Sequence, residues 1–348
     1  MLKYFLIVTL LFSGSLFSQV GGQRIFSFLN TSANARQTAL SGKLLTLVDD
    51  VDQPKWNPAS INLNLDRNLS VNYTSYLADI AIGSVSYAHR FNRYSDTFHA
   101  NVTYVNYGSL IGADENGNET GNFGASDLAL SVGYAFPIAT TNIHVGANIK
   151  LIHSSIANFS STGVGMDLGF IYYNSAKPYI FSLVLRNIGT QLTEFNSTSE
   201  KLPFDIAIGG SYLLENVPIR WYTTIDNLQQ WNISVANPSN NTSDLEGNTT
   251  EEKISFLDNA FRHVRIGAEL FPKRAFNLRV GYNFRRSKEL QLQNVRTFGG
   301  ISFGFGLRMN SVKFNYAYSR FHNASNTSTF GLSIDLNKTS SRNLDTKY

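Results

Sequence analysis

The chain has 348 residues, 43% of them hydrophobic and 13% aromatic, with only 16% charged and no cysteine. Charge well below the roughly 25% of ordinary soluble domains argues against disorder and coiled coil, and the missing cysteines exclude thiolate metal sites, iron–sulfur clusters, cysteine nucleophiles, disulfides and lipoprotein acylation. With 29 Lys and Arg against 25 Asp and Glu the formal charge is +4, and no basic cluster stands out, so nucleic acid is not an expected partner.

Residues 1–18 read as an export signal. Lys3 supplies the positive start, Tyr4 to Phe12 the apolar stretch, and Ser13 to Ser18 a small-residue cleavage zone before Gln19. The apolar run is too short for a spanning helix, which needs about 18 or more such residues. Residues 19–68 follow with no strand periodicity. They carry a short helical stretch around Ala33 to Leu40, an acidic run Asp49-Asp50-Val51-Asp52 and a turn at Trp56-Asn57-Pro58-Ala59. The acidic run lacks the spacing and distal glutamate of an EF-hand loop and is expected to be a solvated turn.

From Leu69 to Leu336 the pattern has period two. Leu128, Leu130, Val132, Tyr134 and Phe136 alternate with Asp127, Ala129, Ser131, Gly133 and Ala135; Phe276, Leu278, Val280, Tyr282 and Phe284 alternate with Asn277, Arg279, Gly281 and Asn283. Fourteen such segments are predicted: Leu69 to Leu77, Ile80 to Arg90, Thr97 to Tyr107, Ser126 to Phe136, Asn142 to His153, Thr162 to Tyr173, Pro178 to Ile188, Pro203 to Leu213, Pro218 to Asp226, His263 to Phe271, Ala275 to Arg285, Thr297 to Met309, Val312 to Phe321 and Ser328 to Leu336. Their lengths suit tilted strands crossing a bilayer. Long connections at 108–125, 154–161, 189–202, 227–262 and 286–296 alternate with short ones, as external loops alternate with periplasmic turns in outer-membrane barrels. The competing secreted sandwich would keep charges on its wet face. Here the wetter register is rich in Gly, Ser and Asn, and Tyr104, Tyr107, Tyr172, Tyr173, Tyr316 and Tyr318 near segment ends read as interfacial girdles. The expected fold is therefore all-β, a 14-stranded antiparallel transmembrane barrel over 69–337, with a tail at 338–348. So wide a barrel cannot be filled by its own side chains, and 19–68 is the candidate hatch inside its lumen.

The stretches Gly22 to Asn30 (GQRIFSFLN) and Ala35 to Gly42 (ARQTALSG), with Asn57-Pro58-Ala59, resemble the PorQ family of the type IX secretion system in Bacteroidetes. More broadly the chain is similar to PorV and to FadL-type long-chain fatty acid transporters. The resemblance implies a bacterial outer-membrane location and a hatch whose motif residues are Arg36, Gln37, Asn57, Pro58 and Ala59. It also implies a non-enzymatic anchoring role for a PorZ-like surface partner, beside PorU- and PorV-like components, in the complex that attaches secreted cargo. The alternative is a FadL-like channel for hydrophobic compounds.

Other patterns are weaker. Gly300-Ile301-Ser302-Phe303-Gly304 matches a nucleophile elbow but lies in an alternating strand with no helix after it. Histidines 89, 99, 144, 153, 263 and 322 show no metal-ligand spacing, and all but His322 fall on predicted strands. No catalytic residue, metal or cofactor is expected. Inward-facing Asp127, Asp167, Asp205, Lys150, Arg265, Glu269, Arg279 and Arg308 either hold the hatch by paired charges or line a path. The long loop 227–262 is predicted to end in a helix over Glu251 to Phe261. Phe256, Leu257 and Phe261 on one side of it form either a surface for a partner or the packing face of a helix laid across its own barrel mouth.

Overall fold

A computed structural model of the chain describes residues 24–77, 79–91, 97–195, 199–234, 242–243, 249–250, 254–290, 299–322 and 325–338. The predicted export signal and residues 19–23 lie outside them. The described residues form a closed ring of fourteen antiparallel strands: β1 Asn68–Ser75, β2 Ala81–Arg90, β3 Thr97–Ala113, β4 Glu119–Pro137, β5 Ile143–Ile156, β6 Phe159–Tyr173, β7 Tyr179–Thr193, β8 Asp205–Leu213, β9 Ile219–Ile225, β10 Val264–Leu270, β11 Phe276–Asn283, β12 Ile301–Met309, β13 Val312–His322 and β14 Ser325–Asp335. Neighbours in sequence pair throughout, and β1 closes on β14 with Asn72 opposite Gly331. No helix among the described residues is long and apolar enough to cross a membrane. The crossing elements are the strands.

The ring is polar inside and apolar outside. On β4 and β5, Val132 faces Ile149 across the ladder and both are exposed, while the next pair, Ser131 and Lys150, is buried. Ser70, Asn72 and Thr74 on β1 are likewise buried while Val71 and Tyr73 are exposed. A soluble sandwich would reverse that order, because exposed apolar area costs about 25 cal/mol per Å² in water. A closed ring, by contrast, leaves no backbone group unpaired in lipid. The chain is thus a transmembrane barrel of the outer-membrane type.

Every predicted strand is present, and the corrections concern ends. The 108–125 connection is mostly ladder: β3 and β4 continue beyond the apolar segments and leave only a turn around Asp114–Asn118, whose carboxylate accepts from the Asn116 and Asn118 amides. Residues 154–161 likewise form a tight hairpin with Ala157 at φ 51°. Apolar alternation stops where strands leave the lipid, but ladder pairing continues, so composition marks the bilayer edge rather than the strand end. Conversely β11 stops at Asn283, whose side chain caps α3 (Phe284–Glu289) by accepting from the Arg286 amide. Residues 297–298 lie outside the described set, and β12 begins at Ile301 after a turn. Backbone pairing also carries β13 through His322.

The helix in the long loop, α2 (Phe256–Arg262), is shorter than predicted because Ser255 caps it by accepting from the Asp258 amide. Residues 251–253 lie outside the described set. Among the girdle tyrosines, Tyr107 and Tyr173 belong to the inner register. Tyr107 donates to Asp127 at 2.6 Å, and Tyr173 packs beside the buried Ile171 and Ile180.

Candidate functional site

Residues 24–67 run through the ring and touch opposite walls. The helix α1 (Ala35–Ala39) is capped by Asn34, whose side chain accepts from the Gln37 amide, and packs against β11 to β14. The 3-10 turn Pro58–Ser60 is capped the same way by Asn57 and packs against β4, β5 and β6 on the far side. Between them the segment is compact. Gln37 accepts from the Leu44 amide at 2.7 Å and donates to Gln53, while Asn57 donates to the Leu45 carbonyl at 2.8 Å. All five motif residues, Arg36, Gln37, Asn57, Pro58 and Ala59, are buried. The structure does not gather them into one site. Arg36 and Gln37 sit on one wall side and Asn57 to Ala59 on the other, with Gln37 and Asn57 bracing the segment's own backbone.

The wall is cut to receive this backbone. A Cβ at Gly146 would stand 2.5 Å from the Pro58 carbonyl, one at Gly169 2.2 Å from Asn57 Oδ1, and one at Gly281 2.2 Å from the Ser41 amide. The glycines of the wet register, which in the sequence read only as small residues, are the imprint of the segment. Ser302 has a similar role: its hydroxyl accepts from the Ser41 amide and donates to the Ala39 carbonyl, each at 3.1 Å, which leaves nothing of a nucleophile elbow.

Buried charge clusters connect segment and wall. In the first, Arg36 forks onto Glu269 at 2.8 and 3.2 Å and reaches Asp49 at 2.9 Å. Glu269 also accepts from Arg279 at 2.8 Å and from the Tyr222 hydroxyl at 2.9 Å. In the second, Lys43 bridges Asp205 and Asp226 at 2.5 and 3.1 Å, and Arg265 joins Asp226 at 2.9 Å. In the third, Lys150 pairs with Asp167 at 2.7 Å, while the Asn187 amide donates to Asp167 at 2.8 Å from a left-handed φ of 56°. That residue marks a register shift between β6 and β7, a conformation asparagine tolerates well. Isolated charges in so dry an interior would cost several kcal/mol each, so pairing is obligatory.

The acidic run is solvated only at its start, where Asp49 is exposed. Asp52 is buried and accepts from Ser70 at 2.7 Å and Asn72 at 3.0 Å, and also from Asn34. Asp50 is held up at about 6, first by burial and then by the charge of Asp52, against the pull of Arg36. His99 bonds the Val51 carbonyl at 2.8 Å. Among the described residues no group of three His, Asp or Glu is placed to hold a metal ion.

Of the inward residues named from sequence, Glu269, Arg279, Asp205, Arg265, Lys150 and Asp167 lie in these clusters. Asp127 serves Tyr107, and Arg308 lines a cavity. Three partners went unread: Lys43, Asp226, and Arg186, which lies 4.2 Å over the Trp56 ring and donates to the Leu29 carbonyl at 3.1 Å. Arg186 shares the parity of Ser182 and Val184 on β7, and an ionisable residue inside a bilayer-crossing strand has to face the lumen.

Two polar cavities flank α1. One of about 190 Å³ opens at the short-turn mouth among Arg36, Asp50, Arg279, Arg308, Lys313 and Asp335. The other, about 210 Å³, opens at the long-loop mouth among Ser32, Tyr76, Arg265 and Arg286. A third, of about 10 Å³, lies between Leu29 and Lys150. The apolar side chains of the segment, Ile25, Phe26, Phe28 and Leu29, pack with Ile82, Val105, Ile152 and Leu202 in one closed cluster. Phe256, Leu257 and Phe261 are not part of the lumen. They stand exposed on α2 at the long-loop end.

No family model matches the chain, and no curated protein matches it. Solved structures do. The chain is similar to TodX, a monoaromatic hydrocarbon channel, in its deltaS2 mutant, with a TM-score of 0.51 and 14% identity over 88% of this chain and 98% of that one. It is also similar to the toluene transporter TbuX of Ralstonia pickettii, with a TM-score of 0.52 and 12% identity over 89% and 98%. At such identity the likeness establishes the fold alone, a closed fourteen-stranded barrel.

Proposed function

We propose that the chain is a non-enzymatic, FadL-like transport protein of the bacterial outer membrane, closed by residues 24–67 acting as a hatch, which admits hydrophobic compounds when that hatch moves. The observation carrying this reading is the correspondence of nearly the whole chain with a monoaromatic hydrocarbon channel and a toluene transporter, supported by a lumen whose wall is shaped around the N-terminal segment. A strain lacking the gene would be compared with one resupplied with it for uptake of labelled toluene and of a long-chain fatty acid. Restored uptake supports the proposal. Equal uptake in both strains overturns it.

One observation favours a second reading. The two larger cavities beside α1 are ringed by charge, and the apolar side chains of the segment are taken up in one buried cluster. A permanently seated hatch suits a barrel that anchors rather than transports. That is the role implied by the likeness of 22–30 and 35–42 to the PorQ family, with a PorZ-like surface protein as partner. Copurification of such a partner from detergent-solubilised membranes, with loss of surface cargo attachment but unchanged uptake in the deletion strain, would replace the first reading with this one.

A further inference from the structure

The barrel wall is not equally tall all round. β3 to β6 run for 17, 19, 14 and 15 residues, whereas β9 and β10 have 7 and β11 has 8. A tilted strand needs about 9–11 residues to cross the hydrocarbon. On the β9–β11 side the strands alone fall short, and at their long-loop end α2 packs against α3, which follows β11, and leads into β10 through His263 alone.

The helix is turned the wrong way for a soluble loop. Its polar side is the buried one: Asn259 donates to the Trp231 carbonyl, and Arg262 is buried and paired with Asp258 at 2.8 Å. Its apolar side points out, leaving Phe256 70%, Leu257 66% and Phe261 53% exposed. A surface helix on a water-soluble body presents the opposite arrangement.

That exposed face joins the outer wall without a break. Leu278 and Val280 on β11 are outward and exposed, and Tyr282 continues their register. Its ring meets Phe284 edge-on at 4.8 Å, Phe284 stacks on Phe261 at 5.4 Å, and at the helix start Phe256 stacks on Trp231 at 4.7 Å. Lys288 and Asp258, joined at 3.4 Å, tie α3 to α2 beside this row.

We infer that α2, with Trp231 and Phe284, lies in the outer leaflet at the boundary of acyl chains and headgroups, where it completes the apolar wall above the short strands; its partner is lipid. An apolar face bordered by aromatic rings and charges is the usual form of an interfacial helix. The inference rests on the transmembrane barrel and is independent of which function the lumen serves.

The chain has no native cysteine, so single-cysteine labelling meets no background. Nitroxide labels would be placed at Leu257→Cys and, separately, Phe256→Cys, with Val280→Cys as the lipid-facing reference and Asn116→Cys, at an exposed hairpin tip, as the aqueous one. The proteins would be reconstituted in phosphatidylcholine vesicles containing phosphatidylglycerol and checked for barrel folding by heat-modifiable gel mobility. Both helix sites should be relaxed by oxygen and shielded from a water-soluble nickel chelate, as Val280→Cys is. If both instead match Asn116→Cys in folded barrels, the face is wet, the inference is wrong, and the patch is left to a soluble surface protein.

Discussion

Arg36 and Glu269 lie 233 residues apart in sequence, yet they form a forked ion pair with side chains only 7% and 1% exposed. It joins the N-terminal segment to β10. Breaking a buried pair costs about 3–5 kcal/mol when the other member is left unpaired. Glu269→Ala falls at the low end of that range, because Arg36 keeps Asp49 and Arg279 still donates to the Asn315 side chain. The ladder does not depend on this side chain, so the barrel should still insert while the segment loosens. Planar-bilayer recordings should show openings rare in the native protein; unchanged conductance in a folded barrel would show that the pair does not hold the segment.

The glycine imprint gives a steric counterpart. Any side chain at Gly146 meets backbone atoms of Pro58 and Ala59 that cannot rotate away, whereas a Cβ at Gly83 meets nothing within 4 Å. Gly146→Val should destabilise the seated segment by about 1–3 kcal/mol as overpacking does. Gly83→Val should be close to neutral. Protease cutting of residues 24–67 in the folded barrel reads the difference directly, and equal cutting of the two variants would contradict it.

The lipid face and the lining of the short-turn cavity should differ in tolerance. Val132→Arg puts a charge on the lipid face and should cost about 2–4 kcal/mol near the midplane. Ser333→Asn, beside the short-turn cavity, should stay within about 0.5 kcal/mol. Urea titration of barrels reconstituted in lipid measures both.

Asp50 gives the seated segment a pH dependence of definite sign. Burial and Asp52 raise it from 3.8 to about 6 in the seated state, so that state binds the proton more tightly than a hydrated, unseated one. Its contribution is therefore fully present below about 3.8 and is lost as pH rises through about 6. Openings should be rarer at pH 4 than at pH 7, and Asp50→Asn should flatten this part of the profile. An undiminished slope in the variant would assign it to another group.

The class of fold was legible because it depends on local pattern. Period-two alternation with Val132 outward and Ser131 inward needs only the pleat of a strand and the absence of water in lipid, and so it located all fourteen strands. Their ends were less legible, since hydrogen bonding between β3 and β4 continues into solvent after apolar selection has stopped. The lumen was legible only in part. Glu269 and Arg279 could be placed inside by parity, but which charge each meets, and that the wall glycines fit Pro58 and Ser41, depends on how an irregular segment threads the ring. Irregular backbone has no period to read, and its contacts join residues hundreds of positions apart. Only the closed tertiary structure could bring Lys43 to Asp205 and Asp226, or turn Phe256, Leu257 and Phe261 outward above strands too short to cross alone.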